Sequence, residues 1–224
     1  MRNPLTFLRT RLLERLAMNS FVASDFHKSA AYWRKLVRLD PEHPGVHYNL
    51  GLVHMATKSY EEAEQAFQAE RARQGETPPL LNALAELAFL KGERMAALDF
   101  YRQAARAERR PSKEGQLLES KIALCRDDER FARALTARDD FEAGCALMQE
   151  ERFKEAEEKL QRAAEADPTH FLTRNNLGVI AMNVRRDLER ARTYFEQADN
   201  LIDHPLIKAN LRKLTHLEAE EQRT

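Results

Sequence analysis

Apolar and polar residues alternate at helical spacing in two segments that lie far apart in the chain. Residues 26–41, FHKSAAYWRKLVRLDP, align without a gap on residues 153–168, FKEAEEKLQRAAEADP, and both segments end in Asp-Pro. A second landmark, Asn-Leu-Gly, follows each segment, beginning at Asn49 and at Asn176. Both landmarks are displaced by 127 residues, from 40 to 167 and from 49 to 176, so the sequence predicts an internal repeat.

The patterning of the rest of the chain predicts helices. Ala, Leu, Glu, Arg and Gln are abundant and favour helices, and the chain has only seven Gly and eight Pro. β-branched residues nowhere alternate with polar residues over several positions, so no strand is expected. We therefore predict an all-α chain.

Five segments of about 34 residues share one pattern. Positions 4, 7, 8 and 11 of each segment fall on one face of a first helix, at about 100° per residue. Position 8 is small, which lets a second helix approach closely. The segments are residues 10–43, 44–77, 78–111, 137–170 and 171–204. Their residues at position 8 are Ala17, Gly51, Ala85, Gly144 and Gly178.

The second helix of each segment has a pattern of its own. In the fourth segment it carries Ala156, Leu160 and Ala163 and stops at Pro168. In the fifth segment the equivalent residues are shifted by one, which predicts a one-residue insertion within residues 183–187.

These residues resemble the tetratricopeptide repeat family over about three quarters of the chain. The resemblance implies a right-handed superhelical solenoid of helix-turn-helix repeats, whose concave groove binds peptides in members of the family.

Besides the first nine residues, two segments lie outside the repeats. Residues 112–136 do not fit the register, and Ser112 after Pro111 predicts the start of one or two extra connecting helices. Residues 205–224 carry an apolar stripe and a charged face, as a C-terminal capping helix requires. We expect an N-terminal half of three repeats, residues 1–111, and a C-terminal half of two repeats with the cap, residues 137–224.

Composition and charge narrow the functional class. The 36 basic and 36 acidic residues give a formal net charge of zero, which argues against nucleic acid as a partner. No stretch approaches the ~20 apolar residues of a membrane span, and no signal peptide is evident. Cys125 and Cys145 lack metal-ligand spacing and are too few for a disulfide framework. We therefore expect a cytoplasmic protein without an integral membrane segment.

No motif for catalysis is present in the sequence: there is no nucleophile elbow, phosphate loop or metalloprotease motif. His47 and His54 occupy positions 4 and 11, so we expect packing histidines rather than a metal site. Cys145 at position 9 is expected to be a free, partly exposed thiol. The sequence thus predicts no enzyme, no cofactor and no bound metal.

The N-terminal segment combines leucines at helical spacing with arginines. It could lie on an anionic membrane, but we expect the leucines to pack within the first repeat instead. The leucines are Leu5, Leu8, Leu12 and Leu16, and the arginines are Arg2, Arg9, Arg11 and Arg15.

The resemblance places a candidate binding groove on positions 2, 5, 9, 12 and 13 of the first helices, with position 6 at its flank. These positions mix apolar side chains with asparagines, which suits a peptide or helix of another protein. The alternative is that curvature or the extra helices bury them. The predicted groove residues are Tyr48, Asn49, Leu52, Met55, Asn82, Glu86, Phe89, Phe141, Cys145, Met148, Asn175, Asn176, Val179 and Met182.

Asn49 and Asn176 are the sharper candidates, because relatives that bind extended peptides often place Asn at position 6. Relatives that grip the C-terminal carboxylate of chaperones also need basic residues and a second Asn at four further positions. Here those positions hold Glu14, Met18, Pro79 and Ala83. We therefore predict no dicarboxylate clamp.

The function expected from the sequence is that of a non-enzymatic protein–protein interaction scaffold or adaptor, which binds a peptide or helix in the concave groove. The alternative is a structural or assembly subunit that forms homo-oligomers through its terminal or convex surfaces, with the groove filled by the chain itself.

Overall fold

The computed structural model describes residues 4–108 and 111–221, and within these ranges the regular structure is helical. The predicted all-α repeat fold is confirmed. The helices are α1 (Pro4–Val22), α2 (Phe26–Leu39), α3 (Val46–Ala56), α4 (Tyr60–Gln74), α5 (Pro78–Leu90), α6 (Arg94–Ala107), α7 (Lys113–Arg126), α8 (Asp128–Gln149), α9 (Phe153–Ala166), α10 (Phe171–Ile180), α11 (Leu188–Leu201) and α12 (Pro205–Glu221), with a π-helical turn, Ala181–Arg185, after α10.

The chain divides into two compact units, Met1–Ala107 and Glu108–Thr224. The first unit contains the pairs α1–α2, α3–α4 and α5–α6, and α1 begins before residue 10, where the first repeat was predicted to start. The second unit contains the pairs α8–α9 and α10–α11, together with α7 and α12. The two helices of each pair pack against each other.

Several helices start where a short polar side chain caps them. Thr77 Oγ1 accepts a hydrogen bond from the backbone N–H of Leu80 at 3.4 Å, and Pro78 occupies the first helical position of α5. Ser112 Oγ accepts from the N–H of Gly115 at 3.0 Å at the start of α7. These bonds satisfy backbone donors that have no partner within the helix.

The turn between paired helices has the same geometry in four repeats. The residue at position 15 has a positive φ in each, and the next N–H donates to the carbonyl five residues earlier, for example from Asp25 to Ser20 at 2.8 Å. The residues at position 15 are Ser24, Lys58, Gly92 and Glu151.

The fifth repeat contains one extra residue before this turn. Its positive-φ residue is Arg186, at position 16, and the N–H of Asp187 reaches back six residues to Ala181 at 3.0 Å. The preceding turn, Ala181–Arg185, is π-helical, which is how a helix accommodates a single inserted residue. The predicted insertion is therefore present.

The segment 112–136 contains one whole helix and part of another. α7 ends at Arg126, and Asp127 caps α8 by accepting from the N–H of Arg130 at 2.9 Å. α8 then runs without a break into the fourth repeat. Within the second unit, Lys113 Nζ of α7 lies 2.8 Å from Asp199 Oδ2 of α11, which ties the two helices together.

The last helix, α12, closes the second unit. Its Leu214 is fully buried in one cluster with Met182 and with Phe195 of α11, and its Ile207 is also fully buried. Lys208, Arg212 and other charged residues of α12 are exposed. This amphipathic arrangement matches the predicted capping helix.

We expected the four N-terminal leucines to pack within the first repeat, and this expectation is wrong for three of them. Leu16 is partly buried, but Leu5, Leu8 and Leu12 are 64%, 63% and 53% exposed. The reason is that another side of α1, which includes the buried Ala17, packs on α2. Arg2 lies outside the described residues.

Candidate functional site

The candidate site consists of the predicted groove residues, seven of which lie in each unit. We call the set in the first unit the α3–α5 face; it comprises Tyr48, Asn49, Leu52, Met55, Asn82, Glu86 and Phe89. We call the set in the second unit the α8–α10 face; it comprises Phe141, Cys145, Met148, Asn175, Asn176, Val179 and Met182, the last from the π-helical turn.

Apolar residues of the α3–α5 face pack on the following repeat. Tyr48, Leu52 and Met55 of α3 are half-buried against a cluster that includes Leu80 and Leu84 of α5. The Tyr48 ring also lies 6.0 Å from the ring of Phe67. Contact with the next repeat therefore accounts for much of their apolar character, while part of each side chain stays accessible.

Polar residues of the α3–α5 face differ in their accessibility. Asn82 is exposed. Asn49 is half-exposed, and its Nδ2 donates to the carbonyl of Gly45 at 2.8 Å. Glu86 accepts a hydrogen bond from the Tyr101 hydroxyl at 2.9 Å. Phe89 is buried, so the surface available to a partner consists mainly of the asparagines and the edges of Leu52 and Met55.

Burial affects the ionisable groups of α3. It lowers the pKa of His54, which is buried, and Arg34 lowers it further. Burial also lowers the pKa of the half-buried His47 and raises the pKa of Tyr48. All three side chains are therefore neutral near pH 7. Within the described residues, no group of three or more His, Cys, Asp and Glu side chains could hold a metal ion.

The fifth-repeat part of the α8–α10 face is covered by α12. Asn175 is 2% exposed, and its Oδ1 accepts from Asn210 Nδ2 of α12 at 2.8 Å. Val179 and Met182 pack in a cluster that includes Leu214 of α12. The sequence could not distinguish an open groove from side chains covered by an extra helix, and in this repeat the structure shows the covered arrangement.

The fourth-repeat part of the α8–α10 face, together with Asn176 of α10, is half-exposed. Asn176 Nδ2 donates to Cys145 Sγ at 3.3 Å, and the Phe141 ring lies edge-on to His170 at 4.4 Å. Burial raises the pKa of the Cys145 thiol, and Glu142 adds to the effect, although the Asn176 contact opposes it. Cys145 is therefore a free, half-buried thiol with little thiolate character near pH 7.

Residues of α1 on the same side of the first repeat were not included among the predicted groove residues. Met18 and Val22, at positions 9 and 13, are exposed. A depression of about 540 Å³ lies against this helix, lined by Arg11, Leu12, Glu14, Arg15 and Met18. The position numbering that selected the residues of the later repeats would also have found Met18 and Val22.

The chemistry of the predicted residues suits binding. Among them, Glu86 is the only acidic side chain and none is basic, and the others offer amide groups, aromatic rings, a thiol or apolar surface. In addition, none of the helices in the described ranges has the length and apolar character that crossing a bilayer requires.

Two stretches of the chain, residues 15–79 and 141–205, match the family model for the tetratricopeptide repeat, and together they cover more than half of the chain. No curated protein sequence matches the chain significantly.

Solved structures of repeat proteins are similar to the chain at low sequence identity. The crystal structure of YrrB, described as a tetratricopeptide repeat protein with an unusual peptide-binding site, is 19% identical, covers 88% of both chains and has a TM-score of 0.43. PilF of Pseudomonas aeruginosa is 12% identical over 97% of this chain and 87% of that chain, with a TM-score of 0.46. A tetratricopeptide repeat protein from Parabacteroides merdae is 13% identical over 96% of this chain and 89% of that chain, with a TM-score of 0.47.

Proposed function

Because the chain belongs to the tetratricopeptide repeat family, we propose that it is a non-enzymatic interaction scaffold that binds a helix or peptide of another protein on the first helices of its repeats. The α3–α5 face is the proposed contact surface. Its half-exposed Leu52 and Met55 offer apolar contacts, and Asn49 and the exposed Asn82 offer amide donors and acceptors. Such a surface can bind a segment through both its side chains and its backbone.

The chain itself contains a model for the proposed partner. α12 covers the equivalent residues of the fifth repeat with an amphipathic helix, in which Asn210 pairs with Asn175 and Leu214 packs beside Met182. This contact is the single observation that carries the proposal, because in it a helix that contributes a leucine and an amide packs on the first helix of a repeat. We infer that a partner helix of this kind binds the α3–α5 face.

A cytoplasmic location is part of the proposal. Neither Cys125 nor Cys145 forms a disulfide, and both lie well within the described residues. Cysteines that are not paired in a disulfide fit a reducing compartment.

Site-specific photo-crosslinking in the native cell tests the contact surface. A photoreactive residue at Leu52 or Asn82 should crosslink the intact protein to a partner. The matched control positions are Gln68 of α4 and Asp99 of α6, which are exposed on second helices. Crosslinks of equal yield at the control positions, or none at positions 52 and 82, would contradict the proposal.

Light scattering distinguishes the proposed adaptor from the alternative, an assembly subunit. An adaptor is expected to be a monomer whose mass does not depend on concentration, whereas an assembly subunit forms a stable oligomer. Asn49→Ala combined with Asn82→Ala on the α3–α5 face should reduce partner recovery, and it should leave the mass in solution unchanged.

A further inference from the structure

The outer side of α1 is the most apolar exposed surface in the described part of the chain. Nine large hydrophobic residues are exposed in the described ranges, and six of them lie on this one helix. They are Leu5, Phe7, Leu8, Leu12, Met18 and Val22. Soluble proteins usually carry such residues singly, so a concentration on one helix indicates an interaction surface.

These six residues share one side of the helix with arginines. At about 100° per residue they cover the side of α1 that faces away from the buried Thr10 and Ala17. Arg9, Arg11 and Arg15 are exposed on the same side or at its edges. Within the described ranges no carboxylate pairs with these arginines, and the Arg11 guanidinium lies 5.8 Å from the centre of the Phe7 ring.

The acidic residue of α1 offsets only part of this charge. Glu14 is the only acidic residue in the helix, and its Oε2 lies 3.7 Å from Nε2 of His43. The outer side of α1 is therefore both apolar and cationic, and a partner that is apolar and anionic would be complementary to it.

In the second and third repeats, the preceding second helix packs on the equivalent side of the first helix. A helix stacked on α1 in the same way would not cover the whole outer side of α1. Leu12 occupies position 3, where Val46 and Leu80 are fully buried next to the preceding second helix. A helix placed in the same way would cover Leu12. It would leave uncovered Met18 and Val22, which lie at positions 9 and 13 on another part of the helix surface.

A second copy of the chain is disfavoured by charge. Packing two α1 helices through their outer sides would bring together Arg9, Arg11 and Arg15 from both copies, with only the half-buried Glu14 of each to offset them. Like charges at an interface cost affinity. An anionic lipid surface avoids this repulsion and can contact the whole apolar side at once.

We propose that α1 is a membrane-surface helix that docks the protein on an anionic bilayer. The apolar side enters the boundary between headgroups and acyl chains, with Leu8 and Val22 near its centre. The three arginines extend their aliphatic stems along this boundary and place their guanidinium groups at the lipid phosphates. The helix lies along the surface and does not cross the bilayer, while its Ala17 side stays packed on α2.

Vesicle co-sedimentation of the intact protein tests this proposal. The probes are vesicles of phosphatidylcholine alone and vesicles of phosphatidylcholine mixed with phosphatidylglycerol. The protein should bind the mixed vesicles more strongly, and added salt should weaken this binding. Leu8→Glu combined with Leu12→Glu should abolish binding. Replacing Arg9, Arg11 and Arg15 by Gln should lower partitioning about fivefold for each arginine.

Matched variants on other helices control for general effects of charge and hydrophobicity. Met95 of α6 is 61% exposed, and Met95→Glu should leave vesicle binding unchanged. Arg34→Gln with Arg38→Gln removes two exposed cations from α2 and should also have little effect. Because every substituted side chain is exposed, thermal unfolding should remain close to that of the wild type for all variants.

Negligible binding of the wild type to both kinds of vesicle would overturn the proposal, as would binding that survives Leu8→Glu with Leu12→Glu. A dimer in solution that this double variant dissociates would also overturn it, because the surface would then serve a second copy. The crosslinks from positions 52 and 82 are read independently, so failure of the membrane contact and failure of the proposed scaffold function can be told apart.

Discussion

Gly178 of α10 lies directly against Phe195 of α11: a Cβ atom at position 178 would stand 2.6 Å from Cε1 of that ring. The second repeat has the same relationship, with 2.4 Å between a Cβ at Gly51 and Cε1 of Phe67. Real Cβ atoms do not approach a ring this closely, so the pairs α3–α4 and α10–α11 both depend on a glycine at this position. The missing side chain lets the two helices pack at short distance.

Gly178→Leu should therefore destabilise the protein. The new side chain would overlap the Phe195 ring, and overpacking of this kind costs about 1–3 kcal/mol or more. Leucine favours helix over glycine by nearly 1 kcal/mol, which offsets only part of the loss. The free energy of unfolding in urea is the measurement.

Gly115→Ala is the matched control for that substitution. Gly115 lies in the first turn of α7, where an added Cβ would have its nearest contact with Ser112 Oγ at 3.4 Å. The better helix propensity of alanine should keep or slightly increase the stability of this variant. If Gly178→Leu unfolded at the same urea concentration as the wild type, the packing of Gly178 on Phe195 would be contradicted.

Much of this packing could be predicted from sequence, because it depends on local spacing. Ala156, Leu160 and Ala163 recur at intervals of four and three, and all three are buried in α9. A helix presents residues at these intervals on one face whatever surrounds it, so periodicity alone identifies the side that faces the partner helix. The position of the inserted residue in the fifth repeat followed from the same spacing.

Deletion of Val184 should be tolerated, because the fifth repeat has one residue more than the others before its turn. Removing it would move Arg186 to position 15, where the other repeats have their positive-φ residue, and would let the π-helical turn become α-helical. We expect the free energy of unfolding to stay within about 1 kcal/mol of the wild type.

Deletion of Gln149 is the control, since the fourth repeat has no residue to spare. Gln149 is exposed, but its loss would shift Glu151 out of the turn and break the hydrogen bond from the Arg152 N–H to the Leu147 carbonyl. This deletion should cost about 2 kcal/mol or more. Equal stability of the two deletion variants, measured by urea unfolding, would show that the π-helical turn does not hold a dispensable residue.

The candidate site was harder to predict, because accessibility depends on neighbouring repeats. Leu52 and Met55 have the spacing of a groove, yet they also pack on α5. Val179 has the same spacing and packs in the cluster that α12 completes. The opposite happened in α1, where Leu8 and Leu12 have the spacing of packing residues but are exposed. Periodicity identifies a face of a helix but does not identify what covers that face.

Asn210→Ala should destabilise the packing of α12. The substitution removes the amide that donates to Asn175 Oδ1 at 2.8 Å and leaves a buried acceptor without this donor. Such a loss costs about 1–3 kcal/mol. Thermal unfolding provides the measurement, and Lys213→Ala is the control, because its bond to Asn183 Oδ1 lies at the exposed surface. Equal melting temperatures for Asn210→Ala and Lys213→Ala would argue against a structural role for the buried pair.

Asp140 makes the stability of the second unit dependent on pH. It links α8 to α9 through Arg162 Nε at 3.1 Å and Lys159 Nζ at 2.7 Å. The hydrogen bonds from Arg162, and then from Lys159, lower the pKa of Asp140 from 3.8 to about 2. Because the pKa is lower in the folded protein than in the unfolded chain, the stabilisation is complete above about pH 4 and is lost as the pH falls towards 2.

Asp140→Asn should therefore lower the free energy of unfolding at neutral pH by about 1 kcal/mol, a modest value because the carboxylate is partly exposed and screened by solvent. The difference from the wild type should shrink when urea unfolding is repeated at about pH 3, where protonation weakens the wild-type contacts as well. Asp139→Asn replaces the exposed neighbouring carboxylate and should show a small effect at both pH values. A difference between Asp140→Asn and the wild type that stays constant from neutral pH to about pH 3 would mean that the charge of Asp140 does not stabilise the α8–α9 pair.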